Sequence, residues 1–139
     1  MLTYKGPPRT ARRLETVPSK GKARYKVREE IEVAISDAEQ LHQILYALGL
    51  GPVFRYEKFR TTYALSAARN LKIELDETPI GTFLELEGTP SAIDRAAKLL
   101  GYRSSEYITE TYGALYIAAC RSRGRKPANM LFRRTKKSP

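Results

Sequence analysis

The chain has 139 residues, of which 42% are hydrophobic, a composition typical of one folded domain of ordinary size and not of a disordered chain. Its one cysteine, Cys120, excludes an internal disulfide and a cysteine metal cluster, and its one histidine, His42, argues against an imidazole-centred zinc site. The net charge of +10 is concentrated at the two ends, which predicts either attraction to polyanions such as phosphates and nucleic acid or simple solubility.

These counts also restrict the ligands and the surroundings of the protein. A metal ion would be bound by oxygen ligands, as magnesium, manganese and calcium are. No run of 18 apolar residues is present, and no apolar stretch follows the N-terminal charges. We therefore expect no membrane span, no secretory signal and a cytoplasmic protein.

The first predicted elements are two strands separated by a loop. Residues 2–5 predict a short strand, and residues 7–23 a long loop without periodicity. The alternation of apolar and charged residues over 25–35 then predicts a regular strand. Its polar face carries charges of both signs, from Arg24, Lys26, Arg28, Glu30 and Glu32.

A helix is predicted directly after this strand. Ser36 and Glu39 have the spacing of a capping box, which places the start of the helix at Ser36. Apolar residues then recur at helical spacing, and Gly49 can end the helix in the left-handed conformation. His42 lies off the apolar stripe, and we interpret it as a surface residue and not as a metal ligand.

Three further strands are predicted in the middle of the chain. The first covers residues 53–63 and brings Lys58 and Arg60 to one face, and residues 66–70 are the turn after it. Two runs that alternate apolar with charged residues follow, around a tight connection at Gly81. Their polar faces would carry Lys72, Glu74, Asp76, Phe83, Glu85 and Glu87. Carboxylates set side by side repel, so this surface is either an ordinary solvated face or contains cations.

The C-terminal part is predicted to be helical. Thr89 as N-cap and Pro90 at the first position begin a helix that Gly101 ends. Residues 105–120 predict a second helix, interrupted by Gly113. Its expected buried members are Tyr107, Ile108, Tyr112, Leu115, Tyr116 and Ala119.

We divide the chain into a domain over residues 1–119 and a basic tail over residues 120–139, in which Met130 and Leu131 could pack back onto the domain. The predicted fold class is α+β, with an antiparallel sheet whose polar face carries both signs of charge. If that sheet closes into a barrel, the polar face lines a hydrated lumen. Cations there could hold a polyphosphate, and grouped carboxylates a divalent metal that bridges to phosphate oxygens.

The sequence contains an ordered set of motifs that spans most of residues 2–119. They are Leu2-Thr3-Tyr4-Lys5-Gly6-Pro7, Arg28-x-Glu30-x-Glu32, Lys58-x-Arg60-x-x-Tyr63, Leu75-Asp76-Glu77 and Gly81-x-Phe83-x-Glu85-x-Glu87. This set resembles the CYTH superfamily, the triphosphate tunnel metalloenzymes, and in particular its class IV adenylate cyclase-like and thiamine triphosphatase-like members.

The resemblance implies a fold, a ligand and a set of site residues. The fold is an antiparallel β-barrel with flanking helices, and the ligand is a triphosphate (ATP, thiamine triphosphate or inorganic tripolyphosphate) bound with Mg²⁺ or Mn²⁺. By position, the triphosphate contacts would be Lys5, Arg28, Lys58, Arg60 and, second in rank, Lys72. The metal ligands would come from Glu85 and Glu87 foremost, with Glu30, Glu32 and Asp76.

One hallmark of that superfamily has no counterpart in this sequence, an N-terminal strand with an E-x-E-x-K signature. The run from Glu30 to Ala34 has two glutamates at the right spacing but ends in alanine, and it already matches a different strand of the family. We therefore expect a barrel that is incomplete at its N-terminus. The chain would be a fragment, a naturally degenerate member, or a protein completed by a second copy or another strand-donating partner.

Two functions of different classes remain open. The first is a metal-dependent enzyme in which water or a ribose hydroxyl attacks phosphorus, for hydrolysis of a triphosphate or cyclisation of ATP to cyclic AMP. The second is a non-catalytic module that binds polyphosphate, nucleotide or RNA through its basic residues. The basic ends favour the second function, whereas the acidic residues have no evident use in it.

Overall fold

The structure is a computed structural model that describes residues 1–8, 24–64 and 70–133, so most of the predicted loop over 7–23 and of the predicted turn over 66–70 lies outside the described residues. The chain forms two compact units, Met1–Val53 and Phe54–Pro139, and each is described by itself. None of the helices described is long and apolar enough to cross a membrane.

The N-terminal unit contains a two-stranded antiparallel sheet. Strand β1, Leu2–Lys5, pairs with β2, Glu30–Val33, so that Lys5 lies opposite Glu30. The strand predicted over residues 2–5 is confirmed. Of the strand predicted over 25–35, only Glu30–Val33 pairs with β1 as a strand, and the Gly6 amide adds one hydrogen bond of 2.9 Å to the Glu29 carbonyl.

Helix α1, Ala38–Ala47, follows this sheet. Its N-cap is Asp37 and not Ser36, and the Asp37 carboxylate accepts hydrogen bonds of 2.9 Å from two amides of the first turn. A carboxylate is a strong acceptor at the positive end of a helix, which explains the shift of one residue from the prediction. Gly49 has a φ of 78° and ends the helix as predicted, and His42 is exposed as predicted.

The C-terminal unit is built on a three-stranded antiparallel sheet. Its strands are β3 (Phe59–Ala64), β4 (Leu71–Thr78) and β5 (Gly81–Gly88), in the order β3-β4-β5. The two acidic strands and their tight connection are therefore confirmed. Gly81 has a φ of 138°, which other residues rarely adopt, and its carbonyl accepts a 2.7 Å hydrogen bond from the Thr78 hydroxyl.

Helix α2, Pro90–Leu99, covers the apolar face of this sheet. Thr89 caps the helix and Pro90 occupies its first position, as predicted. The short side chains of Ala92 and Ala96 pack in one buried cluster with residues of β4, and with Leu84, Leu86 and Ile93 beside it. Since α2 closes the apolar face, the polar face of the sheet is left for the charged residues.

The continuous helix predicted over residues 105–120 is wrong. The segment contains a short 3₁₀ turn, Ser104–Glu106, and helix α3, Tyr112–Ser122. Thr111 starts the second element, because its hydroxyl accepts a 3.1 Å hydrogen bond from an amide of the first turn. Gly113 therefore lies in that first turn instead of interrupting a helix. Ile108, predicted to be buried, precedes the helix and is 58% exposed.

The segment after α3 returns to the C-terminal unit at Met130. Met130 is 1% exposed and forms a parallel bridge with Tyr56, in which the Glu57 amide donates to the Met130 carbonyl over 3.0 Å. The Met130 amide donates in turn to the carbonyl of Arg55 over 2.9 Å. The prediction that apolar residues of this segment pack back onto the protein is thus confirmed for Met130.

Two antiparallel sheets and three α-helices among the described residues confirm the α+β class. Over residues 1–8, 24–64 and 70–133 these sheets do not close into a barrel. In the C-terminal unit, the candidate site residues lie on the polar face of the three-stranded sheet.

Candidate phosphate and metal site

The predicted site residues fall into two groups that belong to different units. Those of the N-terminal unit are Lys5, Arg28, Glu30 and Glu32. Those of the C-terminal unit are Lys58, Arg60, Lys72, Asp76, Glu85 and Glu87. Within each group, the residues are joined by ion pairs or share one face of a sheet.

In the N-terminal unit, two cations converge on one carboxylate. Lys5 Nζ lies 3.0 Å from both carboxylate oxygens of Glu30, and Arg28 Nε lies 2.9 Å from Glu30 Oε1. The hydrogen bond from Lys5 holds the pKa of Glu30 below its ordinary value. Glu32 is placed apart from this group and accepts a 3.4 Å hydrogen bond from the Thr3 hydroxyl. The triad of Lys5, Arg28 and Glu30 carries a net positive charge suited to an anion.

In the C-terminal unit, the strand register sets the charged residues in cross-strand rows. Residues directly opposite in an antiparallel sheet project to the same face with their Cβ atoms close together. The three rows of this face, read from β3 through β4 to β5, are Arg60–Asp76–Phe83, Thr62–Glu74–Glu85 and Ala64–Lys72–Glu87. The rows therefore bring cations and carboxylates side by side on one face, with the carboxylates Glu74 and Glu85 adjacent in the second row.

Asp76 is the centre of the first row and is 0% exposed. Its Oδ2 accepts from Lys58 Nζ at 2.8 Å and from Arg60 Nη2 at 2.6 Å, and its Oδ1 accepts from Arg60 Nε at 2.6 Å. Burial raises the pKa of Asp76, but these hydrogen bonds outweigh it and hold the pKa well below its ordinary value. Asp76 is thus an ionised anchor for two cations.

Tyr112, at the start of α3, covers this end of the face. Its hydroxyl donates a 2.7 Å hydrogen bond to Asp76 Oδ2, its ring centroid lies 5.1 Å from that of Phe83, and Lys58 Nζ lies 5.4 Å from its centroid. Burial and the hydrogen bond to Asp76 raise the pKa of Tyr112, so the phenol stays neutral. The sequence pattern predicts Tyr112 only as a core residue, because periodicity does not indicate where a hydroxyl points.

Glu74, in the second row, joins Glu85 and Glu87 in a group of carboxylates. One oxygen of each lies within 4.8 Å of the others, the spacing at which three ligands can share one metal ion. Glu74 is 1% exposed, and its Oε2 is buried and accepts no hydrogen bond. Arg60 Nη1 is in ion-pair contact with that oxygen, but not in hydrogen-bonding geometry.

Glu74 was placed on the polar face by the sequence but not among the candidate metal ligands. Its alternation with Asp76 along β4 is the signal that could have found it. Asp76 is outside the carboxylate group, since its oxygens already accept from Lys58, Arg60 and Tyr112. The interpretation of this surface as an ordinary solvated face is wrong for β4, where both carboxylates are buried.

Arg60 connects the Asp76 anchor to the carboxylate group. Besides its two hydrogen bonds to Asp76, its Nη2 donates to Glu85 Oε2 over 2.6 Å. The hydrogen bonding with Asp76 raises the pKa of Arg60 further above its ordinary value, so the guanidinium is always charged. Lys72 Nζ lies 2.5 Å from Glu74 Oε1 and 3.7 Å from Glu87 Oε2. The face is therefore a compact lattice of cations and carboxylates.

The comparisons with known proteins identify the family of the chain. The model of one protein family, the CYTH domain, matches residues 1–112, a span that contains both groups of site residues and ends at Tyr112. The chain belongs to the CYTH domain family. Membership of this family implies a tunnel-like antiparallel β fold with helices, and the antiparallel sheets of the described residues agree with that class without forming a closed barrel.

A curated relative of this CYTH-domain protein is named "Putative adenylate cyclase MJ0240" and comes from Methanocaldococcus jannaschii. It is 34% identical over 100 residues, which cover 71% of this chain and 49% of the relative. The CYTH-domain chain therefore spans about half the length of that relative. No solved structure matches the chain.

Proposed function

We propose that this CYTH-domain protein binds a triphosphate-containing small molecule together with Mg²⁺ or Mn²⁺ and acts on its phosphoryl groups. The substrate is ATP, thiamine triphosphate or inorganic tripolyphosphate, and the reaction is hydrolysis or, with ATP, cyclisation to cyclic AMP. The observation that carries the proposal is the face on which Glu74, Glu85 and Glu87 converge beside Arg60 and Lys72.

The donor set of this face fits a hard divalent ion. Three carboxylates offer the oxygen ligands that Mg²⁺ and Mn²⁺ prefer, and Glu74 Oε2 is a buried oxygen that accepts no hydrogen bond. When bound, such an ion polarises phosphoryl oxygens and neutralises charge that develops on them. Glu74, Glu85 and Glu87 would hold it, and Asp76 would orient the neighbouring cations.

The cations of the chain would bind and orient the phosphates. Arg60 presents a planar guanidinium that matches phosphate oxygens, and its bonds to Asp76 fix its orientation before a ligand arrives. Lys58 is fixed by the same carboxylate. Lys5 and Arg28 of the N-terminal unit are the further phosphate contacts of the proposal, with Glu30 and Glu32 as its second acidic group.

The proposal extends to the fold that holds the site. The fold would be an antiparallel triphosphate tunnel, within a domain over residues 1–119 followed by the basic segment 120–139. A second copy of the chain or another partner would supply further strands. A large positive charge of +10 would favour the approach of anionic ligands from a distance.

A second function is favoured by one observation, the ion pairs that the acidic residues already make with Arg60 and Lys72. Arg60 and Lys72 contact each member of the carboxylate group without a metal. The alternative is a catalytically degenerate module that binds polyphosphate, nucleotide or RNA, in which these carboxylates serve to hold the cations in place. Affinity for such a polyanion would fall steeply with salt.

Calorimetric titration of tripolyphosphate, with and without Mn²⁺, distinguishes the two functions. The metal-dependent function predicts that Mn²⁺ tightens binding and that phosphate is released on incubation. Glu74→Gln should weaken Mn²⁺ binding by about tenfold or more, because a charged, buried ligand is lost. Glu77→Gln is the matched control, an exposed carboxylate on the other face of β4. If tripolyphosphate bound with the same affinity with and without Mn²⁺, the result would support the polyanion-binding module instead.

A further inference from the structure

Lys72 contacts two of the three members of the carboxylate group that could hold a metal ion. Its ammonium lies 2.5 Å from Glu74 Oε1 and 3.7 Å from Glu87 Oε2, and both partners belong to the group whose oxygens lie within 4.8 Å of one another. A divalent ion and this ammonium would therefore compete for the same oxygens. A divalent ion bound to these oxygens would also repel the ammonium beside it.

The other cations of this face have a partner outside the carboxylate group, and Arg60 also contacts Glu74 and Glu85 within it. Arg60 makes two of its hydrogen bonds, both of 2.6 Å, to Asp76, and Lys58 makes one of 2.8 Å to the same residue. Asp76 lies outside the carboxylate group, so these two cations keep a partner when a metal occupies the group. The ion pairs described for Lys72 all go to members of the group, so a metal would displace Lys72 from each of them.

Metal binding and the displacement of Lys72 would change the net charge that this face presents to a polyanion. Its four carboxylates, Glu74, Asp76, Glu85 and Glu87, face three cations, Lys58, Arg60 and Lys72. The face therefore carries one net negative charge before metal binds, which opposes a polyanion. A divalent ion reverses this to one net positive charge and at the same time frees an ammonium.

Lys72 is able to move once it is displaced. Its side chain is 51% exposed, so it is not confined by packing. A lysine ammonium is a compact charge with three donors on a flexible stem, and it can turn from carboxylate to phosphate oxygens without backbone movement. Arg60, by contrast, has a rigid fork already engaged with Asp76.

We propose that Lys72 is an exchangeable counter-ion of the carboxylate group, displaced by the divalent metal and then donated to the triphosphate. The proposal rests on the metal and triphosphate site described above and adds an order of binding to it. The metal binds first, and the triphosphate then binds to a face that has gained both a metal ion and a free ammonium. The two ligands are thereby coupled through one side chain.

The test uses the whole chain with Lys72→Met, the control Lys98→Met and the rescue variant Lys72→Arg. Lys98 is an exposed lysine on α2, away from the polar face. Mn²⁺ alone is titrated into each variant, and tripolyphosphate is then titrated without metal and, as its Mn²⁺ complex, into the Mn²⁺-loaded protein. Circular dichroism checks that each variant is folded.

The exchange predicts two opposite effects of Lys72→Met. Mn²⁺ alone binds about tenfold more tightly, because its internal competitor is gone. Tripolyphosphate binds about tenfold more weakly to the Mn²⁺-loaded protein, but with nearly unchanged affinity without metal, since Lys72 is then engaged with Glu74 and Glu87 in the parent protein as well. Lys72→Arg restores the Mn²⁺ affinity toward that of the parent. Lys98→Met leaves the affinities for Mn²⁺ and for tripolyphosphate unchanged.

Other results overturn the proposal in distinguishable ways. If Lys72→Met weakened tripolyphosphate binding equally with and without Mn²⁺, Lys72 would only contribute to the general positive potential of the protein. Unchanged Mn²⁺ affinity in Lys72→Met would mean that the ammonium does not compete for the site. A parent protein that binds neither Mn²⁺ nor tripolyphosphate would refute the proposed function itself, whereas a parent that binds both while Lys72→Met behaves as Lys98→Met would refute the exchange alone.

Discussion

The Asp76→Asn substitution tests whether the buried carboxylate holds the polar face together. The amide oxygen can take the position of Oδ2 and keep the donors Lys58, Arg60 Nη2 and Tyr112. The amide nitrogen then faces Arg60 Nε, which donates over 2.6 Å to Oδ1 in the parent protein. One charge-assisted hydrogen bond becomes a donor–donor contact. Lys58 loses its carboxylate partner, and Arg60 keeps only its contacts with Glu74 and Glu85.

The expected loss of unfolding free energy is about 3 kcal/mol at pH 7, the lower end of the range for breaking a buried ion pair, because three acceptor contacts survive. Urea titration followed by circular dichroism measures it, and with a slope of about 2 kcal/mol per molar the midpoint falls by about 1.5 M. Glu77→Gln, an exposed change on the same strand, should stay within about 0.5 kcal/mol of the parent.

The difference between parent and Asp76→Asn should depend on pH in one direction. The pKa of Asp76 is depressed in the folded state, below the ordinary value of 3.8. The ionised carboxylate therefore stabilises the fold fully above that ordinary value, and this stabilisation is lost as the pH falls below it toward the folded-state pKa. A difference smaller than about 1 kcal/mol at pH 7, or one that stays constant down to acid unfolding, would refute the anchoring role.

Two further substitutions test the surroundings of this anchor. Tyr112→Phe removes the hydroxyl that donates over 2.7 Å to Asp76 but keeps the ring against Phe83. It should lower the free energy of unfolding by about 1.5–3 kcal/mol in the same titration. The same substitution should cost much less in a protein that already carries Asp76→Asn. Met130→Ala should cost about 2–5 kcal/mol because it leaves a cavity where a side chain with 1% exposure stood, whereas Leu131→Ala beside it, at 39% exposure, should cost far less. Equal effects at positions 130 and 131 would contradict the docking of this segment.

The strands and helices that the sequence predicts correctly are those with a local signal. Thr89 and Pro90 specify a helix start by their own chemistry, and the alternation in β4 and β5 specifies which side chains share a face. The errors arise where a partner elsewhere in the chain decides. The strand over 25–35 stops where β1 stops, and the helix over 105–120 gives way to a new start at Thr111.

The candidate site follows the same division. Alternation alone brings Arg60, Asp76, Glu85 and Glu87 to one face, because the antiparallel register preserves it across strands. The sequence predicts a hydrated surface here, but Asp76 is buried because Tyr112, 36 residues later in the chain, covers it. A contact of that kind depends on tertiary packing, and no periodicity within the strands could predict it.

The bridge between Tyr56 and Met130 has a consequence for the order in which the C-terminal unit folds. The β4–β5 hairpin joins residues close in sequence and can form as soon as it is synthesised, whereas the hydrogen bond from the Arg55 amide to the Asn129 side chain spans 74 residues. Closing so long a loop is slow and comes after local pairing. During synthesis the segment before β3 therefore stays unpaired at this bridge until Met130 has been synthesised.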